Sequence, residues 1–126
     1  MPVTKYVASW MASADDDVRS VKALLKEGIS NPSCFHSQQS AEKYFKAFLA
    51  NHGQHIRKVH DLPALLNLCI AIDDSFKQLE DDAKFLVGFY VEARYADDYP
   101  HFTLEEAKQA YEAAERVKEF VAAKLS

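Results

Sequence analysis

Two residues in the last third of the chain have the side chains best suited to catalysis, Arg94 and His101, which are separated by six residues. A guanidinium can hold a phosphate through two parallel hydrogen bonds and stabilise the charge that builds up on it. A histidine can take or give a proton near neutral pH. Together they would suffice for metal-free RNA cleavage, in which the ribose 2′-hydroxyl attacks its own phosphate. The residues alone favour a structural alternative, in which Arg94 pairs with Asp97 or Asp98 and His101 packs beside the next helix.

The elements around this pair predict that it sits at the mouth between two helices. An apolar helix runs toward Arg94, and the chain leaves the helical conformation before Pro100, because a residue that precedes proline avoids the α region. Thr103 and Glu106 form the capping-box pattern that begins another helix. Arg94 is therefore predicted at or near a helix end, with His101 one loop away.

The composition is that of a soluble globular protein. The 126 residues are 48% hydrophobic and 27% charged, with three glycines and four prolines, and we expect one domain over 1–126. No apolar run approaches the roughly 20 residues that cross a bilayer, and the N-terminus lacks a signal-peptide pattern, so we expect a cytoplasmic protein without membrane contact. The net charge of −4 argues against general coating of nucleic acid and confines any RNA binding to a local pocket.

Apolar residues recur at steps of three and four along most of the chain, which indicates helices. The predicted fold is all-α, an up-and-down bundle of four long helices and one short helix. Asn31 is the expected N-cap of the second helix, and Gly88 falls in the middle of the fourth. The fourth helix is apolar nearly all round, so it is either the central helix or a contact with another subunit. The predicted helices cover 4–27, 32–51, 62–72, 76–94 (firm from 82) and 104–124.

The sequence offers a weaker alternative chemistry in its histidines and cysteines. His52, His55 and His60 could bind zinc, but no cysteine or regularly spaced carboxylate joins them, and solvated or capping roles are favoured. The Glu-x-x-His motif of metal-binding bundles is absent. Cys34 and Cys69 fall on apolar helix faces, which predicts buried free thiols. We expect no metal and no cofactor.

The second predicted helix carries polar residues that its apolar seam does not explain. Gln38 lies on that seam, so its amide is either hydrogen-bonded inside the bundle, the favoured interpretation, or faces a pocket or subunit interface. Glu42 and Lys46 are four residues apart, and we interpret them as an ordinary surface pair.

Three segments in order carry a resemblance to a known family: residues 38–47 (QQSAEKYFKA), 59–62 (VHDL) and 90–97 (YVEARYAD). They resemble the HEPN family, and the likeness extends from Trp10 to the last helix. The resemblance implies a bundle of four to five helices that usually forms dimers. It also implies a prokaryotic protein that partners a minimal nucleotidyltransferase, often as a toxin–antitoxin pair.

The ribonuclease branch of that family carries Arg-x4–6-His, and Arg94 to His101 is Arg-x6-His. The resemblance implies that the motifs of two protomers face each other across one site. This chain departs from the pattern in two ways: Tyr95 replaces a small polar residue, and two aspartates lie inside the motif. The segment also resembles an Arg-Tyr-Pro-Asp form of non-toxin-like members, with Ala96 in place of proline.

Two hypotheses follow from the sequence. The first is a dimeric, metal-independent endoribonuclease with Arg94 and His101 as catalytic residues. The second is a non-catalytic module that binds a nucleotide, or docks on a minimal nucleotidyltransferase. The candidate binding residues for either hypothesis are Gln38, Glu42, Tyr95, Asp97, Asp98 and Tyr99.

Overall fold

The structure is a computed structural model that describes residues 3–90 and 99–126. Within these ranges the chain forms five α-helices and one 3₁₀ helix, without a strand, which confirms the all-α prediction. The α-helices are α1 (Lys5–Lys26), α2 (Ser30–Asn51), α3 (Leu62–Ile72), α4 (Glu80–Val87) and α5 (Leu104–Leu125), and the 3₁₀ helix covers Asp74–Leu79.

The helices α1, α2, α4 and α5 alternate in direction. Val7, at the start of α1, packs with Ala50 at the end of α2, so these two helices are antiparallel. Helix α4 leads to Phe89, whose ring contacts Phe102 just before α5 begins. The predicted up-and-down bundle is therefore confirmed. Helix α3, with 11 residues, joins α2 to the 3₁₀ helix, and α4, with 8 residues, is shorter still.

Helix α2 is the central helix of this bundle. Fourteen of its 22 residues are buried, and it packs against α1, α3, α4 and α5. Aromatic rings join its C-terminal half to the 3₁₀ helix and α5: Phe48 lies 4.4 Å from Phe76, and Phe76 lies 4.8 Å from Phe120, between ring centroids. Any polar side chain on the buried faces of α2 is consequently enclosed by protein.

The ends of the helices follow mostly from local sequence. Thr4 caps α1, Asp61 caps α3, and Thr103 forms the predicted capping box with Glu106. Gly28 adopts a φ of +73° after α1, a conformation that favours glycine. The predicted N-cap role of Asn31 is wrong, since α2 begins two residues earlier than predicted, at Ser30, and its N-cap is Ile29.

The fourth helix is shorter than predicted. Residues 74–79 form a 3₁₀ helix, and α4 ends at Val87. Gly88 is therefore the C-cap rather than a mid-helix residue. A Cβ at Gly88 would lie 3.6 Å from the Phe85 carbonyl oxygen, an ordinary contact, so close packing does not require glycine there. The predicted helical residues from 91 onward lie outside the described residues.

Cys34 and Cys69 are buried free thiols, as predicted. Burial raises the pKa of each thiol to about 12, and for Cys34 the Glu106 carboxylate adds to the effect. Both thiols are therefore protonated at neutral pH. Among the described helices, none is both long enough and apolar enough to cross a membrane.

Candidate functional site

The loop that carries His101 is held against the first turn of α2. The Asn31 side chain donates from Nδ2 to the Pro100 carbonyl oxygen and accepts at Oδ1 from the Phe102 amide, at 2.9 Å. The two anchored residues directly flank His101, whose side chain is exposed. Tyr99, exposed by 54%, lies with its ring 6.2 Å from the imidazole and nearly perpendicular to it. His101 is thus presented to solvent from a fixed piece of backbone.

An apolar pocket of about 260 Å³ lies beside this loop. Aromatic side chains and prolines make up most of its described wall, together with one asparagine. A flat ring could enter it. The exposed His101 lies in sequence between Pro100 and Phe102, which both line the pocket. The lining residues are Asn31, Pro32, Phe35, Tyr99, Pro100 and Phe102.

The remaining residues of the predicted motif are not described by the structure. Arg94, Tyr95, Asp97 and Asp98 lie within 91–98, outside the described residues. The structure accordingly defines the position of His101 and its neighbour Tyr99, and the catalytic roles of Arg94 and His101 remain predictions.

Helix α2 contains a row of buried polar side chains at steps of four, namely Gln38, Glu42 and Lys46. The prediction that Glu42 and Lys46 form a surface pair is wrong: their side chains are only 4% and 2% exposed. Lys46 Nζ donates to Glu42 Oε2 at 3.2 Å and to the Arg57 carbonyl oxygen at 2.9 Å. The pair is buried because the segment after α2 folds back over this face of the helix.

Gln38 is completely buried at the start of this row. Its Oε1 accepts from Gln39 Nε2 at 2.6 Å, which agrees in part with the favoured interpretation of an amide bonded inside the fold. Within the described residues, its Nε2 has no hydrogen-bond partner.

Glu42 also orients a histidine. His60 Nδ1 donates to Glu42 Oε1 at 3.0 Å, while 45% of the His60 side chain remains exposed. The imidazole also stacks on Tyr90, with the centroids 5.6 Å apart and the planes 15° from parallel. A histidine held by a buried carboxylate on one nitrogen and open to solvent is suited to proton transfer.

Sequence reasoning placed Glu42 among the binding candidates but did not connect it with His60. The pattern that could have indicated this contact is the spacing of four residues between Gln38, Glu42 and Lys46, on a helix face that is otherwise apolar. Polar residues at that spacing share one face, so burial of that face requires partners for each of them.

The other two histidines of the same segment have separate neighbours. The His52 ring lies 4.6 Å from that of Phe48, and the His55 ring lies 5.0 Å from that of Tyr6. In the described part of the chain, no group of three or more histidine, cysteine, aspartate or glutamate side chains is arranged to hold a metal ion.

A second polar cluster joins α1 to α2. Asp17 accepts from Lys43 Nζ at 2.7 Å and contacts His36 Nδ1 at 3.0 Å. The Tyr44 hydroxyl donates to Asp15, and burial together with this carboxylate raises the pKa of Tyr44 well above its usual value. Each acidic group in this cluster has a partner, so we assign the cluster to packing of the two helices.

The arrangement of helices places the chain in a known class of helical bundle. It aligns with the crystal structure of TT1696 from Thermus thermophilus with a TM-score of 0.80 and 27% identity, over 97% of this chain and all (100%) of that one. It aligns with ST0689, an archaeal HEPN homologue, with a TM-score of 0.77 and 25% identity, over 95% and 98% of the two chains.

Sequence comparison identifies the family. The HEPN domain matches residues 7–124, and the chain belongs to the HEPN family. A relative from Methanocaldococcus jannaschii, named "Putative toxin MJ1304", is 30% identical over 132 residues, which cover 93% of this chain and 86% of the relative.

Proposed function

We propose that this HEPN protein is a toxin-like, metal-independent endoribonuclease. Arg94 would bind the scissile phosphate, and His101 would serve as acid or base. The ribose 2′-oxygen attacks phosphorus and loses its proton to a base, the bond from phosphorus to the 5′-oxygen breaks, and that oxygen gains a proton. The products are a 2′,3′-cyclic phosphate and a 5′-hydroxyl.

The observation that carries this proposal is the presentation of His101. Its two neighbours in sequence are fixed by Asn31, while the imidazole itself is exposed. A proton-transfer group must be held within hydrogen-bond reach of the reacting oxygen, and an anchored backbone limits the search for that geometry. The family membership and the toxin-like relative support the same activity.

The candidate binding residues would act in different ways. Tyr99 is exposed beside His101 and borders the apolar pocket, so it could stack on a base. Tyr95, Asp97 and Asp98 are proposed to adjust the contact with RNA around Arg94. Gln38 and Glu42 are buried and would act indirectly, with Glu42 orienting the exposed His60.

We further propose that the protein acts in the cytoplasm as a homodimer in which the two motifs face one cleft. Helix α4 supports this proposal, since it buries Ala83 and Leu86 inside the bundle but leaves Phe85 36% exposed. Sedimentation should then give twice the chain mass of 14.3 kDa. A monomer at micromolar concentration would exclude a shared site.

The activity is tested with purified protein and labelled single-stranded RNA in the presence of EDTA. We expect cleavage by the unmodified protein and its loss in Arg94→Ala and His101→Ala, with unchanged melting temperatures. Arg94→Lys should remain defective because lysine cannot make the bidentate contact. Arg19→Ala is the matched control, since Arg19 is 83% exposed and lies on α1. Full cleavage by His101→Ala would refute the assignment.

A second candidate function is a non-catalytic module that binds a nucleotide or a minimal nucleotidyltransferase. The specific observation in its favour is the pair Asp97 and Asp98, whose negative charges inside the motif oppose phosphate binding. The toxin-like relative also favours a restraining partner. Co-purification of a nucleotidyltransferase with an inactive protein would support this candidate, whereas recovery of the protein alone without a bound nucleotide would count against it.

A further inference from the structure

A second cleft lies at the opposite end of the bundle from His101. It has a volume of about 400 Å³ and is formed by the first three turns of α1 and the segment after α2. Its neighbour Lys46 is fifteen residues along α2 from Asn31, which corresponds to about 22 Å at 1.5 Å per residue. The lining residues are Tyr6, Ser9, Trp10, Ser13 and Arg57.

The aromatic walls of this cleft are held by neighbouring cations. The Arg57 guanidinium lies 5.7 Å from the centre of the Tyr6 ring, and Lys46 Nζ lies 5.5 Å from that of Trp10. Tyr6 and Trp10 meet edge to face, with centroids 6.3 Å apart. These contacts fix the two rings without filling the space between α1 and Arg57.

The polar groups of the cleft suit an anion. Ser9 and Ser13 lie four residues apart on α1, so their side chains share one face of the helix. Arg57 is exposed, and none of the described residues that line the cleft carries a carboxylate. The nearby Glu42 carboxylate is already engaged by Lys46 and His60.

The Tyr6 hydroxyl belongs to the wall of the cleft. Its oxygen is shielded from solvent. Trp10 and then Arg57 approach it as hydrogen-bond donors and lower the pKa of the phenol. The hydroxyl therefore helps to hold Trp10 and Arg57 on either side of the cleft.

We propose that this cleft binds one nucleotide of a single-stranded RNA, with the base stacked on Trp10 and the phosphate held by Arg57, Ser9 and Ser13. Proteins bind single strands in this way, through aromatic side chains for the bases and cations for the backbone. The volume also falls within the range of roughly 300–1,000 Å³ typical of small-ligand sites. The inference rests on the proposed ribonuclease function and adds a strand contact remote from Arg94 and His101.

The overall charge makes such a local contact necessary. With a net charge of −4, the protein as a whole repels a polyanion, so attraction must come from positions where cations outnumber carboxylates. Arg57 provides such a position, since it is the charged side chain among the described residues that line the cleft. The neighbouring Lys58 is not among them, which makes it a matched control for charge in the same segment.

Trp10 is the single tryptophan of the chain, so its fluorescence reports on this cleft directly. The His101→Ala protein is titrated with a short single-stranded RNA whose riboses are 2′-O-methylated and cannot be cut. We expect saturable quenching of the Trp10 fluorescence. Arg57→Gln should lower the RNA affinity about tenfold and reduce the magnitude of the slope of log affinity against log salt by about 0.7. Lys58→Gln should keep the affinity within about twofold, because Lys58 makes no contact in the cleft.

Binding by a Trp10→Leu protein is measured by the anisotropy of labelled RNA, since that variant lacks the fluorescent probe. Loss of the stacking surface should weaken binding at least about fivefold. If Trp10→Leu does not fold, the exposed position Arg57 still provides the test. If uridine or adenosine monophosphate binds as tightly as the RNA, as measured by quenching, the assignment of the cleft to a single-stranded RNA would be overturned.

The experiment separates this inference from the proposed function. Unchanged Trp10 fluorescence, or equal RNA affinity of the His101→Ala protein with and without Arg57→Gln, would overturn the second site even if RNA is cleaved. Quenching that depends on Arg57 would support the site even if the protein with His101 intact cleaves no RNA.

Discussion

Because the Glu42–Lys46 pair is buried rather than exposed, we expect its removal to affect the stability of the protein. Substitution of Lys46 by methionine keeps an unbranched side chain of similar length but removes the ammonium. Among the described residues, Glu42 then keeps only His60 as a side-chain partner, in a place where its own side chain is 4% exposed. Removal of one member of a buried ion pair costs about 3–5 kcal/mol, since the remaining charge is left without compensation.

We expect Lys46→Met to lower the free energy of unfolding by about 3 kcal/mol, the low end of that range, because His60 still contacts the carboxylate. The double variant Glu42→Gln/Lys46→Met should lose less than the sum of the two single variants, since it leaves no unpaired buried charge. Urea unfolding followed by circular dichroism, at one protein concentration, measures each value.

Lys77→Met is the matched control for this experiment. Lys77 pairs with Asp74, but the two side chains are 60% and 80% exposed. Loss of this exposed pair should change stability by at most about 0.5 kcal/mol. A cost below about 1 kcal/mol for Lys46→Met, or strict additivity in the double variant, would refute the burial argument.

Three further predictions concern the His101 loop and the titrating groups. Asn31→Ala should remove both anchors of that loop, lower stability by about 2 kcal/mol and reduce any RNA cleavage, as measured by urea unfolding and gel assay. Hydrogen bonds from Lys124 and then Ser75 lower the pKa of Asp73 from 3.8 to about 2, so its stabilising effect is complete above pH 3.8 and is lost as pH falls toward 2. Asp73→Asn should flatten the acid limb of the stability curve over that interval. The buried thiols Cys34 and Cys69, whose pKa values are raised from 9.0 to about 12, should resist a thiol reagent at neutral pH in the native state, and their contribution to stability should fall as pH rises from 9.0 toward 12.

These predictions have their own controls. Asn67→Ala, at an exposed position of α3, should leave both stability and cleavage unchanged. An acid limb identical in Asp73→Asn and the unmodified protein would show that Lys124 does not hold the carboxylate. Rapid modification of either cysteine without denaturant would contradict their burial in the core.

Helix boundaries were predictable where a local signal and the apolar pattern agree. Thr103 and Glu106 form the predicted capping box, and Thr4, Gly28 and Asp61 lie at helix ends, which their residue types favour. Caps act through hydrogen bonds within a few residues, so local sequence carries the necessary information.

Asn31 shows where that reasoning fails. Its type and the following proline favour an N-cap, but its side chain bonds to Pro100 and Phe102 instead. A contact across about seventy positions of sequence depends on tertiary packing, which a local pattern does not contain. The anchoring of the His101 loop was therefore not predictable from the motif itself.

The Glu42–Lys46 pair shows the same limit for burial. Opposite charges four residues apart occur mostly on solvent-facing helix surfaces, and that frequency led to the wrong interpretation. The return of the chain over α2, which places the Arg57 carbonyl and His60 against the pair, is what buries it. The cleft around Trp10 was missed for a related reason, because Tyr6 and Arg57 come together only in the folded chain.

RNA cleavage in the absence of metal tests the central claim most directly. The purified protein is incubated with end-labelled single-stranded RNA and EDTA, beside His101→Ala and Arg94→Ala proteins of the same stability. We predict fragments ending in a 2′,3′-cyclic phosphate from the unmodified protein and intact RNA from both variants. Intact RNA with the unmodified protein, or the same fragments from His101→Ala, would contradict the proposed function.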